Sequence, residues 1–297
     1  MSLFTLLAAL MFEQFRPLPQ GAFSDRLVAR IVLFARSPGD RRIGWLLAVV
    51  GGGAIVGMIA SFLHSVFSLL AFVFGVFVLY GLLAPRREEA AFVAIERALA
   101  EDEPEQAAAR LAAWCGQEYA EESAEGVARL AMEHAVLRAH RQIFGVLLWF
   151  VLLGPAGALA YRLAAELARA EIVHDQGEET FARRLFVWID WLPARISALA
   201  FSVIGNFEDA MYCWRTQATL WPDTNAGVVL AAASGALGVR LGMPVHEAGY
   251  VVDRPELGLH ATADVNQMSR VARMLWRVLV LIVLVVALVT IAGWVSY

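Results

Sequence analysis

The chain has no lysine; all 24 of its basic residues are arginine. That absence excludes a phosphate-cradling P-loop lysine, Schiff-base chemistry and a lysine general base. Cysteine is nearly absent. Cys115 and Cys213 stand far apart and in no metal-ligand spacing, which speaks against a disulfide framework or a zinc ribbon. Charge is scarce, at 18% of residues against roughly 25% in an ordinary soluble domain. What charge there is sums to −4, so a nucleic-acid binder working through a basic surface is disfavoured and no nucleic-acid partner is expected. The patterns G-x-S-x-G, H-E-x-x-H and G-x-G-x-x-G are all missing.

What remains is apolar. Of 297 residues, 59% are hydrophobic, and the mean hydropathy is +0.60. A bilayer is the expected solvent, and about 20 apolar residues make one span. The opening run from Leu3 to Phe12 lacks a basic start and an A-x-A cleavage site, so it is expected to stay as a membrane anchor. Ile43 to Pro85 is 43 residues without a formal charge, enough for two spans with a turn near His64 and Ser65. Gly53 and Gly57 are spaced to let helices pack closely. Residues 86–141 are polar, alanine-rich and acidic with helical spacing, and their surplus acid is expected on a solvated face. Gln142 to Tyr161 is a third uncharged run, interrupted by Gly154 and Pro155, and a polar loop is expected from Arg162 to Arg184. Leu185 to Gly205 is apolar but holds Asp190 and Arg195. Each such charge costs about 2.5–3.5 kcal/mol at a helix centre, so this segment should face protein, a wet cavity or the interface. Thr224 to Val239 is uncharged but short, either a half-helix shielded by protein or a span. Val278 to Tyr297 is a clear span preceded by Arg270, Arg273 and Arg277.

The sequence therefore predicts an all-α, polytopic integral membrane protein with a small cytoplasmic helical domain. Its expected parts are an anchor and hairpin at 1–85, the cytoplasmic domain at 86–141 and membrane or interfacial helices at 142–205. A glycine-rich, membrane-associated region at 206–275 and a final span at 276–297 complete it. Six arginines in the stretch 14–42 and six in 206–277 put those segments, and 86–141 with them, on the cytoplasmic side of a bacterial inner membrane.

Most histidines carry little chemistry in this pattern. His134 and His140 fall on opposite helical faces and make a poor metal pair, and no metal site is expected. One region differs: Trp221 to Gly258, WPDTNAGVVLAAASGALGVRLGMPVHEAGYVVDRPELG. Glycines permit close backbone approach, and arginines beside exposed amides suit phosphate or carboxylate groups. The candidate ligand-binding residues are Asn225, Gly235, Gly238, Arg240, Gly242, Asp253 and Arg254. A closely packed Gly/Ala helix followed by a loop is the plainer reading of the same residues.

The run GALGVRLGMP (Gly235–Pro244), the run GYVVDRPELG (Gly249–Gly258) and DVNQMSR (Asp264–Arg270) resemble the C-terminal signature of the CobD/CbiB family, as does LPAR at Leu192–Arg195. That family comprises integral membrane proteins of cobalamin biosynthesis. The resemblance implies a corrinoid intermediate as partner, and amide formation between adenosylcobyric acid and aminopropanol or its phosphate. If catalysis is retained, it implies ATP and Mg²⁺ as cofactors. The chain departs from the family pattern at its acidic positions. GQEY (Gly116–Tyr119) stands where the family has G-R-D-T, Arg138 and Arg141 fall in the E-N-x-x-D-G segment, and Leu230 replaces an acid. The opening MSLFTLLAALMFEQ and IDWLPARI (Ile189–Ile196) resemble AmpE, a sister family linked to β-lactamase regulation. That second resemblance implies a non-catalytic membrane regulator with 86–141 as its surface for a protein partner.

The hydropathy generates a first test. After an alkaline carbonate wash without detergent, the protein should remain wholly in the membrane pellet.

Overall fold

The computed structural model describes residues 2–16, 23–36, 40–83, 85–116, 123–174, 180–247, 250–259 and 261–295. Each apolar run is helical, because backbone groups in hydrocarbon must satisfy one another within the segment. Helices α1 (Ser2–Phe15), α2 (Phe23–Ala35) and α3 (Arg41–Leu46) come first. Asp40 caps α3 by accepting the Arg42 N–H at 2.9 Å. The long uncharged run divides into α4 (Gly52–Val66) and α5 (Ser68–Leu82) at Phe67, whose backbone is extended. Next come α6 (Pro85–Ala100), α7 (Pro104–Cys115) and α8 (Ala124–Ala139). Pro104 sits in the first turn of α7, and Ser123 caps α8 through the Gly126 N–H.

Helix α9 (Gly145–His174) kinks at Gly154, where φ is 66°, just before Pro155. It continues to His174, so the polar loop expected to begin at Arg162 is helical over its first half. RLAAELARA is built of strong helix formers, and Arg162 pairs with Glu166 one turn on at 3.1 Å. Helices α10 (Phe181–Ile189) and α11 (Trp191–Ile204) follow, bent by 49°. Then come α12 (Phe207–Gln217) and α13 (Thr224–Leu237), capped by Asn206 and Asp223. The segment expected as a loop holds two small antiparallel ladders. β1 (Leu241–Gly242) pairs with β4 (Glu256–Leu257), and β2 (Val245–Glu247) pairs with β3 (Tyr250–Val252). Helix α14 (Val265–Val295) closes the chain.

Four helical stretches are long and apolar enough to cross a bilayer: Arg41–Val66, Ser68–Ala100, Ala124–Ala170 and Val265–Ala292. The bent pair α10 and α11 makes a fifth if it forms one span. Only 17% of the apolar window is buried in the first and last of these, and side chains such as Phe62, Phe77 and Leu288 are about two-thirds exposed. Such surfaces belong in lipid, and the protein is a multi-pass membrane protein.

The contacts divide into two units. The first comprises Met1–Arg87, Arg141–Pro193 and Val283–Tyr297. Within it, Gly53 and Gly57 face Ala160 and Ala156 of α9, the close packing expected of that pair. Asp190, at the bend after α10, is 1% exposed and accepts the Tyr161 hydroxyl at 2.7 Å. This side-chain partner is how a carboxyl group in an apolar segment is accommodated. The second unit comprises Glu88–His140 and Ala194–Ile282. Its core is α13, buried at every residue from Asn225 to Leu237.

Gly145 gives a test of the first unit, because a Cβ there would lie 2.2 Å from the Tyr161 hydroxyl. Gly145→Ala should displace Tyr161 from Asp190 and cost about 1–3 kcal/mol, read as a lower thermal midpoint in detergent. Gly57→Ala, where the added atom meets Ala156 at an ordinary 3.4 Å, should have a smaller effect.

Candidate ligand-binding site

The site is built on α8. Arg129 and Glu133 are four residues apart and therefore share one helix face. Both are buried, at 6% and 4% exposure. Together they hold both backbone groups of Gly242. Its N–H donates to Glu133 Oε1 at 2.8 Å, and its carbonyl accepts from Arg129 Nη1 at 2.6 Å. Gly242 has φ +81°, and a Cβ there would lie 2.1 Å from the Pro255 carbonyl oxygen. Only glycine fits that position. Pairing of Gly242 with Glu256 across the β1–β4 ladder brings the preceding Asp253-Arg254-Pro255 segment to the same helix. Arg254 Nη1 donates to Glu133 Oε2 at 3.1 Å, and its guanidinium lies over the Trp221 ring at 5.4 Å. Its Nε and Nη2 are buried without a hydrogen-bond partner.

The other predicted residues spread along α13. Asn225, 2% exposed, accepts a hydrogen bond from Arg195 Nη1 at 2.7 Å. Gly235 backs onto the Asp209 carbonyl of α12, and Gly238 is the left-handed residue that ends α13. These two glycines lie about 15 to 20 Å along the helix from Asn225. Arg240 approaches Glu256 at 3.5 Å, and its N–H donates to the Ala261 carbonyl. Asp253 is exposed. The structure thus gathers Gly242 and Arg254 on Glu133, and holds Asn225 through Arg195. Gly249, Gln117, Glu118 and Tyr119 lie outside the described residues.

Arg129, Glu133 and Trp221 were absent from the sequence-based set of ligand-binding residues. The i, i+4 spacing of the first two was the available signal, but it reads equally as a surface ion pair. The acid expected on a solvated face is in two cases buried and paired. Glu133 is one. Glu88 is the other: it accepts from Arg138 Nη1 at 3.1 Å and from Trp114 Nε1 at 2.7 Å. Arg138 also donates to the Trp114 carbonyl and to His134 Nε2. Burial pushes the Cys213 thiol up, and the Asp209 carboxylate adds to that, so Cys213 is a poor nucleophile. Among the described residues, no three of His, Cys, Asp and Glu converge as metal ligands.

Comparison with known proteins gives a consistent result. A family model described as CobD/Cbib protein matches residues 20–275. The chain is 31% identical over 252 residues to a cobalamin biosynthesis protein CobD of Chromobacterium violaceum, covering 82% of this chain and 80% of that one. It is 36% identical over 155 residues to the protein of the same name from Stutzerimonas stutzeri, covering 51% of each. A cobalamin biosynthesis protein CobD of Mycobacterium tuberculosis is 31% identical over 180 residues, 58% of each chain. No solved structure matches.

Glu133 is the hinge of this geometry, and removing it strands Arg254 and the Gly242 N–H. Glu133→Ala should destabilise the protein by about 3–5 kcal/mol in denaturant titrations of the detergent-solubilised protein. Glu133→Gln keeps an acceptor for Gly242 and should lose less.

Proposed function

Because the chain belongs to the CobD/CbiB family of cobalamin biosynthesis proteins, we propose that it recognises a corrinoid intermediate from the bacterial inner membrane. The step in question joins adenosylcobyric acid to aminopropanol or its phosphate. The observation that carries this reading is Arg254. It is anchored by Glu133 and Trp221 and leaves Nε and Nη2 without protein partners. Buried donors are almost always satisfied, so two such N–H groups on one guanidinium ask for an acceptor from outside the chain. A carboxylate, amide carbonyl or phosphate oxygen would satisfy them. In this reading Arg254, Arg240 and Asn225 bind and orient the ligand's polar side groups. Gly242 lets the backbone come close, and Gly235 and Gly238 shape the helix behind.

The ligase chemistry of the family would draw on ATP and Mg²⁺. The donor set does not fit Mg²⁺ among the described residues. The ion takes carboxylate oxygens, no three metal-ligating side chains of the described residues converge, and Glu133 and Glu88, the buried carboxylates of the second unit, are each already paired with arginine. The function proposed is corrinoid recognition at the amide-forming step, with the catalytic carboxylates eroded.

Two measurements test it. Protein in lipid nanodiscs should retain adenosylcobyric acid by its visible absorbance, and Arg254→Ala should weaken retention at least tenfold. Expression in a strain lacking the corrinoid amide ligase should fail to restore growth without added cobinamide. If the protein retains no corrinoid, the reading falls, and a regulatory role of the AmpE kind becomes the better account. Restored growth would overturn the erosion of catalysis alone.

A further inference from the structure

Away from the loop held by Glu133, the second unit contains a cleft of about 290 Å³ where the end of α11, the end of α13 and the first half of α14 meet. Gly205, Ala236 and Leu237 form one wall, and Arg270, Arg273 and Arg277 form the other. The arginines stand at i, i+3 and i+7, which places them within about 60° of one helix face over roughly 10 Å. All three are exposed. No lining residue is acidic. Arg270 donates to Gln267 at 2.9 Å, and among the described residues Arg273 and Arg277 have no acidic partner. Gly205 allows the narrow wall, since a Cβ there would lie 2.5 Å from the Ala236 carbonyl oxygen.

The position of the cleft is set by the sequence. Arg277 is the last charge of the chain, followed by 20 residues with none. The arginines therefore stand at the edge of the hydrocarbon, at the depth of lipid headgroups. Three unneutralised guanidinium groups in one cleft repel one another unless an anion sits between them, and phosphate matches their paired N–H donors. We propose that this cleft binds a phosphate group, and that its depth makes an anionic phospholipid headgroup the source. The three arginines would hold the phosphate, and the apolar face of α14 beyond Val278 would run beside the acyl chains.

The full chain, delipidated in a maltoside detergent, can be titrated with phosphatidylglycerol or phosphatidylcholine and observed by native mass spectrometry. Phosphatidylglycerol should be retained at least fivefold more than phosphatidylcholine. Arg273→Gln with Arg277→Gln should abolish that preference, whereas Arg215→Gln on α12 should keep it. The side chains are exposed, and an unchanged thermal midpoint establishes that the double variant folds. Displacement of phosphatidylglycerol by millimolar glycerol 3-phosphate would support the phosphate site and assign it to a soluble phosphate ester. Equal retention of the two lipids, or a preference that survives in the double variant, overturns the proposal. Corrinoid retention is a separate readout, so this site and the Arg254 site stand or fall independently.

Discussion

A buried carboxylate, with an arginine one turn before it, ties the loop after α13 to the helix that presents it. Glu133 lies inside the second unit with almost no exposure, where an unpaired charge would cost several kcal/mol. It is tolerable because Arg254 and the Gly242 N–H both donate to it, and Arg129, one turn earlier, closes on the Gly242 carbonyl. The dependence runs in the other direction as well. The ladders after α13 are two and three residues long, too short to hold their shape alone. The left-handed turn at Gly242, the orientation of Arg254 and the Trp221 contact all follow from where Glu133 stands on α8.

The absence of lysine acquires a physical meaning beside these contacts. Arg138 donates at once to Glu88, the Trp114 carbonyl and His134. Arg254 pairs with Glu133 while its guanidinium lies over the Trp221 ring. Arg195 reaches the Asn225 side chain. A planar guanidinium with five fixed donors can serve several acceptors in one plane, and it stays charged when buried. An ammonium group has three donors, but they fan out tetrahedrally and cannot present a planar fork. In these three contacts arginine is a structural connector, unlike the exposed Arg270, Arg273 and Arg277 of α14.

The apolar helices were legible in the sequence because lipid leaves the backbone no alternative to pairing within its own segment. The break of the long uncharged run at Phe67 came within three residues of the expected turn, and the Gly53 and Gly57 faces were predictable from spacing. The continuation of α9 past Arg162 was missed because polarity was taken for a loop. Local helix propensity and the Arg162–Glu166 pair decided otherwise. The role of Glu133 was not legible at all. Its partners lie 109 and 121 residues away, and nothing in the local pattern of α8 separates a buried, paired glutamate from a solvated one. The candidate site was therefore half visible. The glycines and arginines of the loop announced themselves, while the helix that holds them did not.

The same pairing bears on the chemistry expected of the family. A divalent cation needs carboxylate oxygens, and Glu133 is the buried carboxylate beside the glycine-rich loop. Its oxygens already accept from Gly242 and Arg254, with Arg129 in the same group. A unit charge 4 Å from another of like sign is repelled by about 4 kcal/mol at an effective dielectric of 20, and a divalent ion doubles that. A magnesium ion brought to Glu133 would face the Arg254 guanidinium, which already donates to Glu133 Oε2. The arrangement favours the opposite kind of ligand, one that brings oxygen acceptors to an arginine. That is why the site is better described by what Arg254 can bind than by what a metal could do there.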